Sequence, residues 1–392
     1  MNYPKSRRFP RYASSHVRLL CVDQAGSIGG AQKSLLELLP AFARNGWQPS
    51  VAAPGDSPFA ESIRKAGYET HDLNCGSYTS TTKSALEHFK YASNLPRILR
   101  TLEQLVLENQ INLLYVNGGR LFPPCAWVAR RLGIPAVFHI HNRLVQPSAI
   151  ALAGRTVRWA GGQLIACCHH AVAPLRRHID PRRVNVVYNG VQGLNASDRP
   201  RTGNLRRIAV VGRVEPEKGQ LEFVRAARLI SERHPECRFS VVGRPVFSGA
   251  EYLQKVVEAA EGLLIDFADW QDDIARLYGS LDLLVVPSSH LEATTRVILE
   301  AYSAGVPIVA FPSGGIPEVV RNNETGFLTE EVTAESLANR ITSVLEMDKA
   351  RLMEVIRKAR QAWAQHYTLE AYQEAVCDVL SGTALERSAR AA

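Results

Sequence analysis

The sequence has no run of eighteen uncharged apolar residues, so no membrane-spanning helix is expected. Its opening stretch, MNYPKSRRFPRYASSHVRLLCV, carries basic residues without a long apolar core, so no secretory leader is expected. Cysteine is sparse: seven, an odd number without regular spacing. That pattern argues against a disulfide framework and for a reducing compartment, so the expected location is the cytoplasm. Cys167-Cys168-His169-His170 gathers metal-binding residue types, but adjacent ligands cannot wrap a tetrahedral ion as a C-x2-C spacing can; it reads as a strand end and helix start. No D-x-D pair occurs. AGSIGG has the wrong spacing for G-x-G-x-x-G, which removes support for a nicotinamide enzyme. No basic motif is interleaved with aromatics in the manner of single-strand binders, so nucleic acid is not an expected partner.

What is present fits a soluble globular protein: 392 residues with 46% hydrophobic content can build two packed domains. Short β-branched runs alternate with longer helical patterns, the mark of a parallel sheet wrapped by helices, and the alternation occurs twice. The first series places strands at 16–23, 48–54, 69–73, 111–117, 135–141, 163–168 and 183–189. The second places them at 206–214, 238–243, 263–268, 283–288 and 307–311. The polar link NASDRPRTGN, 195–204, separates them. The expected division is a basic flexible tail (1–15), an N-terminal Rossmann-like domain (16–198), a second such domain (199–365) and a C-terminal helix (366–392) returning to the first. Net charge is +8, concentrated in the tail and between Arg155 and Arg207. Such a face is either merely solvated or attracts an anionic membrane surface or a phosphorylated acceptor.

Chemistry concentrates in SSHLEATTRVILEAYSAGVPIVAFPSGGIPEVVRNNETGFL, 288–328, where Glu292 and Glu300 stand eight apart across a loop-to-helix junction. A helix starting near Thr294 would put free N–H groups between the two acids, a cradle for a diphosphate flanked by hydroxyl-bearing groups. Strand IAVVGRV runs into GRVEPEKG, setting Gly212, Arg213 and Lys218 at a strand's carboxyl end, where cations neutralise charge on a departing nucleotide. Gly29 and Gly30 follow the first strand and open a helix, allowing close approach of backbone N–H to an anion. His139 and His141 share one face of the fifth strand at period two, and either could face a ligand.

With IGGAQKSLLELL (28–39), HIHN (139–142), VYNGV (187–191), VGRVEPEKG (211–219) and DFADWQDDIARLYGSLDLLVVPSS (266–289) in this order, the chain resembles retaining glycosyltransferase family 4, the glycosyl transferases group 1. The resemblance implies the α/β GT-B fold: two Rossmann-like, doubly wound parallel-sheet domains facing across a cleft. It implies that Arg213 and Lys218 bind the donor phosphates and that Glu300 holds the ribose hydroxyls. Glu292 would contact the transferred sugar, and the amides of Val297 and Ile298 would lie near the diphosphate. Gly29, Gly30 and Gly212 would border the donor, joined by Phe267 and by Arg244, and His141 is selected as the active-site histidine with His139 as its buried partner. Ala293-Thr294-Thr295 departs from the usual Phe-Gly pair after the first acid, restricting backbone approach to the sugar. Without D-x-D, cationic side chains and a helix start must serve the diphosphate, and no cofactor or bound metal is expected. The implied activity is transfer of a sugar from a nucleotide-diphosphate donor to a hydroxyl of a glycan or lipid-linked acceptor with anomeric retention, in glycan, exopolysaccharide or envelope polysaccharide synthesis. The alternatives are a nucleotide-sugar epimerase of the same fold and a non-catalytic basic peripheral scaffold.

Overall fold

A computed structural model of the chain describes residues 17–73, 75, 85–194, 206–246, 249–288 and 292–391. The expected tail 1–15 and link 195–204 lie outside the described residues, as do Arg199 and Arg201 of the basic stretch.

The first unit contains strands β1 Arg18–Val22, β2 Gln48–Ala53, β3 Glu69–Asp72, β4 Leu113–Asn117, β5 Ala136–Ile140, β6 Gln163–Ala166 and β7 Val184–Val186, in the order β3-β2-β1-β4-β5-β6-β7. The second contains β8 Arg207–Val211, β9 Arg238–Val242, β10 Ile265–Ala268, β11 Leu283–Val286, β12 Ile308–Ala310 and β13 Phe327–Leu328, in the order β10-β9-β8-β11-β12-β13. Neighbouring strands pair in parallel throughout. Helices cover both faces, which is why central strands such as β4, β5 and β11 are buried along their whole length rather than alternating, with Asn117 and His139 the polar exceptions in otherwise apolar runs. Strand β13 has no counterpart among the sequence expectations; at two residues it is too short to leave a periodicity.

The first unit's helices are α1 Gly30–Arg44, α2 Pro58–Lys65, α3 Ala85–Glu108, α4 Phe122–Leu132, α5 Pro147–Ala160 and α6 His169–Val172. Those that follow are α7 Gln220–Ser231, α8 Gly249–Ala259, α9 Ile274–Ser280, α10 Arg296–Ala304, α11 Ile316–Val319, α12 Ala334–Leu345, α13 Lys349–His366 and α14 Leu369–Ala391. Helix α14 packs on the first unit: Tyr372, Val376, Cys377 and Leu380 share a core with Leu19, Leu35, Tyr115 and Val137. The chain's return lies against Val191, whose N–H donates to Tyr367 O at 3.0 Å while its carbonyl accepts from Leu369 N at 3.1 Å. No helix among the described residues is long and apolar enough to cross a membrane.

Each sheet reverses its winding once, between β1 and β4 in the first unit and between β8 and β11 in the second. Crevices outside the carboxyl ends of strands at such reversals are where open parallel sheets take ligands.

Candidate active site

At the second reversal, β8 delivers Gly212 and Arg213, and the turn that follows delivers Lys218, whose ammonium is ion-paired with Glu292 beyond the end of β11. This turn must lie flat on the sheet. Gly219 has φ +71, and a Cβ there would sit 2.0 Å from Pro287 O. A second close approach holds Glu292: Gly314, at φ +59, would place a Cβ 1.9 Å from the Glu292 carbonyl, and Gly315 N–H donates to that carbonyl at 3.1 Å. Arg213 lies 3.8 Å from Glu217, and its carbonyl accepts from Gln220 Nε2 at 2.7 Å. Val214 N–H donates to Arg244 O at 3.0 Å, so the loops after β8 and β9 are tied by backbone; Arg244 itself is exposed. Phe267 is on the edge strand β10 and is 40% exposed.

Helix α10 begins at Arg296, later than Thr294. The two β-branched threonines stay out of the helix: Thr295 is its extended N-cap, and Thr294 Oγ1 accepts from Asn189 Nδ2 at 3.2 Å. Val297 and Ile298 therefore lie in the first turn and Glu300 in the second; Ile298 N–H donates to Thr295 O at 3.3 Å, and its side chain is buried in the core. Glu300 is nearly buried, and Tyr278 OH donates to its Oε2 at 3.0 Å. Burial, reinforced by Glu300, holds the Tyr278 hydroxyl well above its usual range, so it stays a donor.

At the first reversal, Gly29 caps α1 in extended conformation and Gly30 is its first residue. Asp23, directly after β1, is fully buried and accepts from Ala25 N (2.8 Å), Gln32 Nε2 (3.0 Å) and Asn117 Nδ2 (2.6 Å). Desolvation raises its carboxyl to about 6 despite those donors. His141 Nε2 meets Asn117 Oδ1 at 2.6 Å. His139 is fully buried, meets Tyr115 OH through Nδ1 at 2.5 Å, and stacks on His141 with ring centroids 3.9 Å apart.

The two reversals face each other. Arg296, at the start of α10, donates to Glu37 Oε1 at 2.7 Å and Ser34 Oγ at 3.2 Å on α1, and to Gly190 O at 3.3 Å. Lys33 Nζ, also on α1, is 3.8 Å from Glu300. Glu318 of α11 caps α6 of the first unit, accepting from His169 N at 2.8 Å, His170 N at 2.6 Å and Tyr188 OH at 2.9 Å. The predicted residues Lys218 and Glu292 are thus in contact, and Gly30 lies against Arg296, toward whose Cδ a Cβ on the glycine would reach within 3.9 Å. Sequence reading passed over Lys33, Arg296, Tyr278, Asp23 and Asn117. Lys33 and Arg296 carry no signal along the chain, because their partners are hundreds of residues away; Asp23 and Asn117 offered a weaker one, polar residues ending the apolar strands β1 and β4.

Two wound parallel sheets with facing reversals, cations at one strand end and acids at a helix start make a two-domain α/β protein of GT-B type. The family described as Glycosyltransferase Family 4 matches residues 28–192, and that described as Glycosyl transferases group 1 matches residues 196–362. A lipopolysaccharide 1,2-N-acetylglucosaminetransferase of Salmonella typhimurium is 34% identical over 79% of this chain and 85% of its own length. A D-inositol 3-phosphate glycosyltransferase of Mycolicibacterium gilvum is 29% identical over 99% of this chain and 94% of its own. Among solved structures, Anabaena HepE in complex with UDP and glucose superimposes with a TM-score of 0.76 at 21% identity, covering 93% of this chain and 100% of that one. The chain belongs to the GT-B glycosyltransferases of family 4, with the group 1 domain as its second half.

Proposed function

We propose that the protein moves a sugar from a nucleoside-diphosphate donor to a hydroxyl acceptor with retention of anomeric configuration, in the synthesis of a glycan or envelope polysaccharide. The observation that supports this most is the convergence on one strand-end crevice of Lys218 paired to Glu292, of Arg213, and of Glu300 at the start of α10. Arg213 and Lys218 neutralise the diphosphate as the bond to the sugar breaks, and Glu300 binds the ribose hydroxyls beside Tyr278. Glu292, ion-paired with Lys218, contacts the sugar, and His141 approaches from the opposite unit. The departing phosphate oxygen takes the acceptor's proton on the same face, so no second carboxylate need act as a base. The HepE complexes with UDP and UDP-glucose are consistent with a nucleotide-sugar donor here.

For the acceptor we favour a lipid-linked glycan met at an anionic bilayer, with the protein peripheral on the cytoplasmic side. Helices α4 and α5 carry a face of Arg130 stacked over Trp159 and Arg131 over Trp127, with Arg155 and Arg158 beside a shallow recess of about 340 Å³ and Leu152 56% exposed. Cationic and amphipathic side chains of this kind suit the headgroup layer.

A thermal-shift panel of nucleotide-sugars identifies the donor, since a ligand that binds only the folded state raises the melting point. Incubation of that donor with hydroxyl acceptors, read by NMR of the product's anomeric centre, then tests transfer and retention. An inverted product sinks the retaining mechanism, and a stereoisomer formed from donor alone establishes the epimerase instead.

A further inference from the structure

A buried polar chain joins two parts of the first unit that the proposed reaction would use together. It begins at Gly29, whose N–H donates to Gln32 Oε1 at 3.1 Å; this bond fixes the Gln32 amide, so Nε2 must face Asp23 and donate to its carboxylate at 3.0 and 3.1 Å. On the other side of Asp23 the same logic holds for Asn117. Its Nδ2 lies between two groups that only accept, Asp23 Oδ2 at 2.6 Å and the Ala31 carbonyl at 3.3 Å. The amide cannot be turned over without placing its oxygen against both. Asn117 Oδ1 therefore faces His141, and the ring nitrogen 2.6 Å away, Nε2, must carry the hydrogen. Burial, reinforced by Arg296, lowers His141 to about 4, so the ring is neutral at physiological pH and Nδ1 holds a lone pair.

We infer that Asp23 is a positioning residue: through Asn117 it fixes His141 as the Nε2–H tautomer with Nδ1 left as an acceptor, and through Gln32 it sets the Gly29–Gly30 loop. The inference rests on His141 facing the ligand, and it narrows what His141 can meet there. An acceptor nitrogen pairs with a hydroxyl, not with a phosphate oxygen, so the partner is a hydroxyl group of the sugar or of the acceptor. The arrangement also gives a reason for a fully buried carboxylate to which no cation is hydrogen-bonded among the described residues: two of its donors, the Gln32 and Asn117 amides, turn their other ends to the Gly29 loop and to His141.

The test is long-range proton–nitrogen NMR of the full chain labelled at histidine, with His141→Gln identifying the resonance. The wild-type ring is expected as a single neutral tautomer with hydrogen on Nε2. In Asn117→Ala, exchange between both tautomers is expected, with kcat lowered about ten- to a hundredfold and donor KM changed far less, the signature of lost orientation rather than lost binding. Asp23→Asn should show the same pattern in weaker form. A wild-type Nδ1–H tautomer overturns the proposal, and so does Asn117→Ala with both tautomer and kcat unchanged. The wild-type spectrum decides even where a variant fails to fold. A fixed Nε2–H tautomer together with full activity of His141→Gln upholds the relay and removes instead the placement of His141 at the ligand.

Discussion

Single side chains carry the electrostatic work. If Arg213 and Lys218 neutralise a leaving diphosphate, Arg213→Ala or Lys218→Ala lowers turnover about ten- to a thousandfold, a few kcal/mol of barrier; single-turnover kinetics on folded variants checks this, and unchanged rates in the double variant remove the assignment. Asp23 and His141 make opposite demands on pH. The Asp23 carboxyl, raised to about 6 by desolvation, favours the folded state while protonated, so its contribution is present below its unfolded pKa and is lost as pH rises through about 6. His141, lowered to about 4 chiefly by burial, contributes above its unfolded pKa and loses that contribution as pH falls toward 4. Denaturant titrations should therefore show wild type losing stability relative to Asp23→Asn by on the order of 3 kcal/mol between pH 4 and 7. A pH-independent difference contradicts the buried anion. The placement of Glu292 and Glu300 about a helix start, and of Arg213 and Lys218 after a strand, was legible in the sequence because strand-to-loop and loop-to-helix patterns are local. Lys33 and Arg296 were not, because an ion pair across two units depends on how the units sit, and Asp23 stood only as the last residue of the expected strand 16–23.

At the scale of elements, the strands were legible and their ends were not. Near-continuous apolar runs marked the buried parallel strands, whereas β13 is too short to register and α10 starts at Arg296, after an extended Thr295. The turn carrying Lys218 is the element most sensitive to substitution. Gly219→Val would force a branched side chain into positive φ and into the Pro287 carbonyl. We expect a loss of about 2–4 kcal/mol and displacement of Lys218 from Glu292, seen as a lower midpoint in denaturant and weaker donor binding by calorimetry. A variant with wild-type midpoint and affinity would mean that the turn is not pinned to β11.

For the whole molecule, the decisive contacts are those between α1 and α10. Arg296 and Glu37 have side chains 10% and 20% exposed and face each other across the crevice, so Arg296→Ala leaves a largely buried acid without its cation. The ligand-free variant should be more open, with a larger radius of gyration in solution scattering, and donor addition should recover less of the compact form than in wild type; superimposable scattering curves would show that the pair does not hold the units together. The doubly wound architecture was visible in the alternating runs of the sequence. The crossing back at residues 366–369 has a further effect during synthesis on the ribosome. Tyr372, Val376 and Leu380 complete a core otherwise built from the first half of the chain, Leu19 to Val187. The half of the protein that is translated first thus waits, with an apolar face uncovered, until α14 has been made, whereas the half made later already holds the helices that close its own sheet.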